Sequence, residues 1–245
     1  MAIKRATRKK KESDITEEFE QSYKQKFDCS NIKLRKQFPL THNQTSFYYK
    51  SQEEKTSMLL LDGVAGTAKT YIAVYTALEL LKASKVDQIV YIRSVVESSS
   101  KSIGALPGEL EDKFSPYSMP LIDKMNEILD KQTINSLMEG QYIKAIPVNF
   151  VRGLTFNNSF VIIDEAQNLT RSELTTILTR FGRNSKYIVC GDCKQSDIKD
   201  SGFTTVFNLF DTDFSKKNDI HNFTFGVEDI VRSPILKHIT QILGV

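Results

Sequence analysis

The chain is 245 residues long, 40% apolar and 26% charged, with a formal net charge of +3. No apolar run approaches the roughly 18 residues of a membrane span, and the N-terminus lacks the apolar stretch of a secretory leader, so a cytoplasmic protein with one sizeable core is expected. Three cysteines, Cys29, Cys190 and Cys193, are too few and odd in number for a disulfide framework.

Basic charge is concentrated at the start. Lys4, Arg5, Arg8, Lys9, Lys10 and Lys11 stand in Met1–Lys11 without an acid, which leaves the remainder net negative by three. Such an arm either neutralises phosphates on a nucleic acid or is a solvated tail, and both readings stand. Residues 1–35 are expected to form a flexible or helical extension, and residues 36–245 a single domain. In "SMLLLD" a short continuous apolar run reads as a strand buried on both faces. "KTYIAVYTALELLKAS" follows with apolar positions at helical spacing, and "QIVYIRS" reads as a second strand. From Val95 to Phe150 the chain is punctuated by Gly104, Pro107, Gly108, Pro116, Pro120 and Pro147, which predicts loop with embedded helices, "PLIDKMNEILDK" being the clearest.

Another buried strand, "SFVIIDEAQN", ends in two acids. "TRSELTTILTRFG" predicts a helix with a capping box from Thr170 to Glu173, an apolar face at Leu174, Ile177, Leu178 and Phe181, and Gly182 just past its end. "KYIVCGD" and "HNFTF" read as further strands, and "SPILKHITQIL" as a closing helix with Pro234 near its start. Strands alternating with helices predict an α/β fold, its mostly parallel sheet covered on both faces.

Three of these junctions carry chemistry. In "LLLDGVAGTAKTYIAV" a strand passes through a glycine turn into a helix, the setting in which backbone N–H groups and a helix N-terminus face a phosphate. The nucleotide-binding loop is then Gly63, Val64, Ala65, Gly66, Thr67, Ala68, Lys69, Thr70 and Tyr71. Lys69 would reach the β- and γ-phosphates and Thr70 would hold Mg²⁺. Ala68 stands where glycine is usual, and a positive φ there would cost roughly 1–2 kcal/mol.

Asp164 and Glu165 at the end of the second buried strand supply an acid for the magnesium shell and one to orient or deprotonate an attacking water. "YIVCGDCKQSD" brings Asp192 and Gln195 to the same sheet edge as a phosphate sensor. Cys190 and Cys193 have the spacing of a thiol redox pair or half a zinc site. No second pair accompanies them, His42, His221 and His238 are scattered, and Cys190 fits the apolar end of its strand.

In this order, G-x-x-G-x-[GA]-K-T, D-E-A-Q and G-D-x-x-Q are similar to the ATP-binding half of superfamily-one helicases. The chain resembles the PhoH-like ATPase family more closely. "YIRSVVES", "IGALPGELEDKFSPY", "VRGLTFNNSFVIIDEAQN", "LTRFG", "SGF" and "DIVRSPIL" match that family's further elements, with Ser94 in place of its usual proline. The resemblance spans about residues 38–243 and implies a single RecA-like P-loop domain that binds ATP and Mg²⁺.

Gln44 in "FPLTHNQTSFYY" resembles the adenine-reading glutamine of such ATPases. The chain runs about 50 residues beyond "GDCKQ", so no second motor domain is expected here to supply an arginine finger. The resemblance then implies a homo-oligomeric ring, a hexamer, with Arg180 and Arg152 ranked over Arg232 as the completing arginine. Arg93 is read as supporting the site or contacting a nucleic-acid phosphate. The expected activity is Mg²⁺-dependent ATP hydrolysis coupled to movement on, or remodelling of, RNA or single-stranded DNA. The alternative is an ATP-gated assembly or binding module with slow or no turnover.

Overall fold

The structure is a computed structural model and describes residues 27–94 and 110–244, the side chains of 110–117 excepted. The basic arm and the elements read in residues 95–109 lie outside the described residues. Six parallel strands form one sheet: β1 (Met58–Gly63), β2 (Gln88–Arg93), β3 (Ile143–Pro147), β4 (Ser159–Asp164), β5 (Lys186–Gly191) and β6 (Ile220–Phe225). Their order is β3-β2-β4-β5-β1-β6. The eight helices described are α1 (His42–Gln52), α2 (Lys69–Lys82), α3 (Leu110–Ile128), α4 (Lys131–Glu139), α5 (Arg171–Leu178), α6 (Phe203–Phe210), α7 (Asp213–Lys217) and α8 (Pro234–Leu243).

Side chains alternate along each strand, so the sheet builds two cores. Leu59, Leu61, Ile89, Tyr91, Phe160, Ile162 and Ile188 pack beneath α1–α4. Leu60, Val90, Ile92, Val161, Ile163 and Val189 meet Leu174 and Ile177 of α5 and Phe203 and Val206 of α6. Both faces of the parallel sheet are thereby covered, as the unbroken apolar runs require. Among the described residues, no helix is long and apolar enough to cross a membrane.

Three local expectations are corrected. The stretch read as loop with embedded helices up to Phe150 carries α4 as one such helix, but it also carries the edge strand β3, whose I-K-A-I-P pattern is too short and only half-buried in its middle to announce itself. Helix α5 has its capping box at Thr170 and Glu173, but it ends at Leu178 with Thr179 as its cap. Gly182 is therefore no helix terminator: it lies where the chain presses against Phe156, whose carbonyl group would collide with an added Cβ. Ahead of α1, Ile32 is buried and the Arg35 guanidinium donates to the Asn126 carbonyl at 2.6 Å.

The candidate nucleotide site

The parallel sheet directs the carboxyl ends of β1, β4 and β5 to one edge, where an α/β fold gathers a ligand. β5 lies between β1 and β4, and the registers set Asp62 beside Gly191 and Arg93 beside Asp164. Between β1 and α2, Gly66 adopts φ 85° and Ala68 φ 60°. A Cβ on Gly66 would meet a Leu236 methyl, which would have to move aside, and the positive φ favours glycine there.

Ala68 takes up the left-handed conformation that a Cβ resists. Ala68→Gly is expected to relieve about 1–2 kcal/mol of strain, less about 0.4–1 kcal/mol for the freer unfolded chain. The expected result is a melting temperature raised by about 1–4 °C without nucleotide, and ATP affinity held or raised. A lower melting temperature would show that the loop has been rebuilt around alanine.

Ala68 directly precedes α2, so Lys69 and Thr70 open a helix whose free N–H groups face the loop. The Lys69 ammonium donates to the Gly63 carbonyl and, at 3.2 Å, to that of Val64. Thr67 Oγ1 closes the turn by donating to Val64 O at 2.7 Å. Val64 is buried, Ala65 is exposed, and Tyr71 faces the core against Phe38 and Tyr75 rather than the loop.

The carboxylates arrive from β4. Thr70 Oγ1 donates to Asp164 Oδ1 at 2.8 Å, which brings the two residues expected at a metal ion together across 94 positions of sequence. A hydroxyl and a carboxylate are hard oxygen donors, and Mg²⁺ completes its octahedron with water and phosphate oxygens instead of an all-protein cage. No group of three or more His, Cys, Asp or Glu poised for a metal exists among the described residues. The donor set fits Mg²⁺ carried in with a nucleotide.

Glu165 follows in a left-handed backbone conformation, φ 51°, unusual outside glycine, which turns the chain sharply at the end of β4. Its Oε2 accepts from Gln167 Nε2 at 2.5 Å, while Gln167 Oε1 accepts from the Asp192 backbone N–H at 3.1 Å. One glutamine side chain thus links the Glu165 carboxylate to the turn after β5. That turn is tied down further by Cys193 N–H to Asp62 Oδ1 at 2.8 Å and by paired hydrogen bonds between Asn168 and Asp197. Asp192 Oδ1 accepts from Lys194 N–H at 2.9 Å, and its other oxygen is buried without a partner among the described residues. Gln195 is half-buried on the same turn, and Cys190 is a free thiol sealed in the core.

Gln44 is committed to the protein. Its amide nitrogen donates to the carbonyls of Thr67 and Asp229 at 3.0 and 2.8 Å, and its oxygen accepts from Thr41 N–H at 3.0 Å within a capping box. It braces the back of the phosphate loop, and an adenine contact would have to replace these bonds. Asp229 is the hub of this brace: 1% exposed, it accepts from Thr41 Oγ1, from Asn43 Nδ2 at 2.9 Å and from Gly226 N–H at 2.9 Å.

The arginines separate. Arg232 stands beside the loop: its Cβ is 3.4 Å from the Cβ position of Gly66, and the adjacent Val231 N–H donates to Gly66 O at 3.2 Å. Arg93 ends β2 beside Asp164. Burial works against its charge, but Tyr91, Asp164 and Glu165 more than offset this and raise its pKa. Arg152 is exposed and lines a shallow groove with Val148, Asn149, Ser172 and Glu173. Arg180 lies beyond the end of α5, at the amino-terminal edge of the sheet, where its carbonyl accepts from Phe156 N–H and Phe181 packs on Tyr187. A strand length, on the order of 15 Å, separates it from the loop of its own chain.

Tyr91, Gln167 and Asp229 are the residues here that sequence reasoning did not single out. Gln167 could have been found, since it is the last letter of D-E-A-Q. Tyr91 and Asp229 gave no such signal.

A glycine loop between a parallel strand and a helix, with a threonine hydroxyl on a β4 carboxylate, defines a RecA-like P-loop domain. The comparisons agree. The model of the family described as PhoH-like protein matches residues 38–244, and the chain belongs to that family.

A PhoH-like protein of Synechocystis is 34% identical over 194 residues, covering 77% of this chain and 57% of the relative. Protein PhoH of Escherichia coli K12 is 32% identical over 201 residues, covering 80% and 55%. The chain therefore spans little more than half the length of these relatives. Among solved structures, the large terminase of a thermophilic bacteriophage in complex with ADP aligns with a TM-score of 0.51 at 13% identity, over 83% of this chain and 50% of that one. That likeness is one of fold.

Proposed function

We propose that this domain binds ATP with Mg²⁺, hydrolyses it, and couples hydrolysis to binding, movement on or remodelling of RNA or single-stranded DNA. The observation that carries this reading is the contact of Thr70 with Asp164 beside a loop that presents Lys69. Lys69 would exchange its bonds to Gly63 and Val64 for phosphate oxygens, and the N–H groups opening α2 would face the same anion. Thr70 and Asp164 would hold the metal, which when bound neutralises charge on the β- and γ-phosphates.

Glu165 would take a proton from water, and Gln167 restrains its carboxylate through one oxygen. Gln195 would report the γ-phosphate from the turn that Gln167 also holds. Positive charge from within the chain would come from Arg93 and Arg232. Arg180, and Arg152 as a second candidate, would complete the nucleotide site of a neighbouring copy, as in a ring such as a hexamer. The ADP named with the phage terminase and the basic arm at Met1–Lys11 support the nucleotide and the polynucleotide respectively.

The test is ATP hydrolysis by protein of known mass in solution, with and without single-stranded RNA and DNA. Stimulation by a polynucleotide is the expected result. Hydrolysis that neither polymer changes would refute the nucleic-acid coupling while leaving the ATPase intact.

A further inference from the structure

Tyr91 lies on β2, one strand in from the β3 edge of the sheet, and is fully buried. It sits on β2 two residues before Arg93, and the β2–β4 register pairs Tyr91 with Ile162 and Arg93 with Asp164. Its ring belongs to the apolar core beneath α2, yet its hydroxyl rises to Asp164 and donates to Oδ2 at 2.6 Å. The other carboxylate oxygen accepts from Thr70. Both oxygens of the one acid offered to the metal are therefore restrained, each by a different element.

A buried hydroxyl costs free energy unless it is bonded, and an apolar residue of similar size would fill this core position without that cost. An ionised carboxylate has no proton to give, so the direction of the bond is fixed: Tyr91 donates and Asp164 accepts.

We propose that Tyr91 is a positioning residue for the metal of this site: its hydroxyl fixes the plane of the Asp164 carboxylate so that Oδ1 stays with Thr70. The inference rests on the P-loop reading above. Partners of this kind, one bond beyond the ligand, orient the ligand before the metal arrives, and their loss commonly costs about 10–100-fold in metal affinity.

Tyr91→Phe removes the hydroxyl and keeps the ring. The measurement is binding of a fluorescent ATP analogue to the full chain across a titration of free Mg²⁺, which needs no turnover. The variant is expected to require about tenfold more Mg²⁺ for half-maximal tight binding, while its affinity without Mg²⁺ matches the parent. Ile89→Val, which trims the same core without touching the carboxylate, serves as the packing control and is expected to leave the Mg²⁺ requirement unchanged.

An unshifted requirement in folded Tyr91→Phe, or an equal shift in Ile89→Val, would overturn the inference while leaving the nucleotide site intact. A parent chain that binds no nucleotide at any Mg²⁺ concentration would overturn the proposed function and this inference with it.

Discussion

Glu165→Gln is expected to bind ATP as the parent does and to hydrolyse it about 10²–10⁴-fold more slowly, the usual contribution of a positioned general base. The substitution preserves volume and places no new demand on the left-handed backbone at this position. Gln167 can still donate to the remaining carbonyl oxygen, so the link to Asp192 and the turn after β5 stays in place. What is lost is the negative charge that accepts a proton, together with one of the anions that raise the pKa of Arg93. Nucleotide binding and single-turnover hydrolysis, measured on the same preparation, separate the two steps. Parental turnover in the glutamine variant would remove Glu165 from the role of base and point to an acid elsewhere on the sheet edge.

Lys69→Ala acts one step earlier. Lys69 brings the only lysine charge in the loop Gly63–Tyr71. Two charge-assisted hydrogen bonds to phosphate at about 1.5–3 kcal/mol each amount to a loss of about 10²–10⁴ in affinity. Without nucleotide the same ammonium satisfies the carbonyls of Gly63 and Val64, so its removal also loosens the empty loop. Circular dichroism of the variant distinguishes that local effect from misfolding. Equilibrium binding of ATP then reads the affinity: a folded variant that binds like the parent would mean that phosphate is held elsewhere.

Much of the site is legible in the sequence because its chemistry is local. The glycine turn, Lys69-Thr70 and the acids of D-E-A-Q each sit where a strand ends, and strand ends follow from apolar runs. Even the weak point is readable: Ala68 does take a positive φ, as a glycine-like position demands. Contacts set by tertiary registration are not readable. Tyr91 and Asp164 are 73 residues apart, and their meeting depends on β2 lying beside β4 in one register.

Gln44 shows the converse limit. Its position beside the loop follows from the sequence, but which partner its amide satisfies is decided by Asp229, 185 residues on, in a turn with no distinctive pattern. The placement of the arginines relative to their own loop is hidden for a related reason. Arg180 looks promising as a helix end, but α5 runs from the carboxyl edge of the sheet to the amino edge and carries Arg180 away from its own loop. Arg232, ranked last, packs beside Gly66 because α8 and the turn before it close over the loop. Strand β3 escapes notice because an edge strand needs little apolar surface.

The most direct test of the central claim is steady-state ATP hydrolysis by the purified chain with Mg²⁺ and with Mg²⁺ removed by chelation. Hydrolysis that requires Mg²⁺ and is abolished in Lys69→Ala is the predicted result. Tight ATP binding without hydrolysis under any of these conditions would contradict it and would make "GVAGTAKT" the loop of a nucleotide-gated assembly.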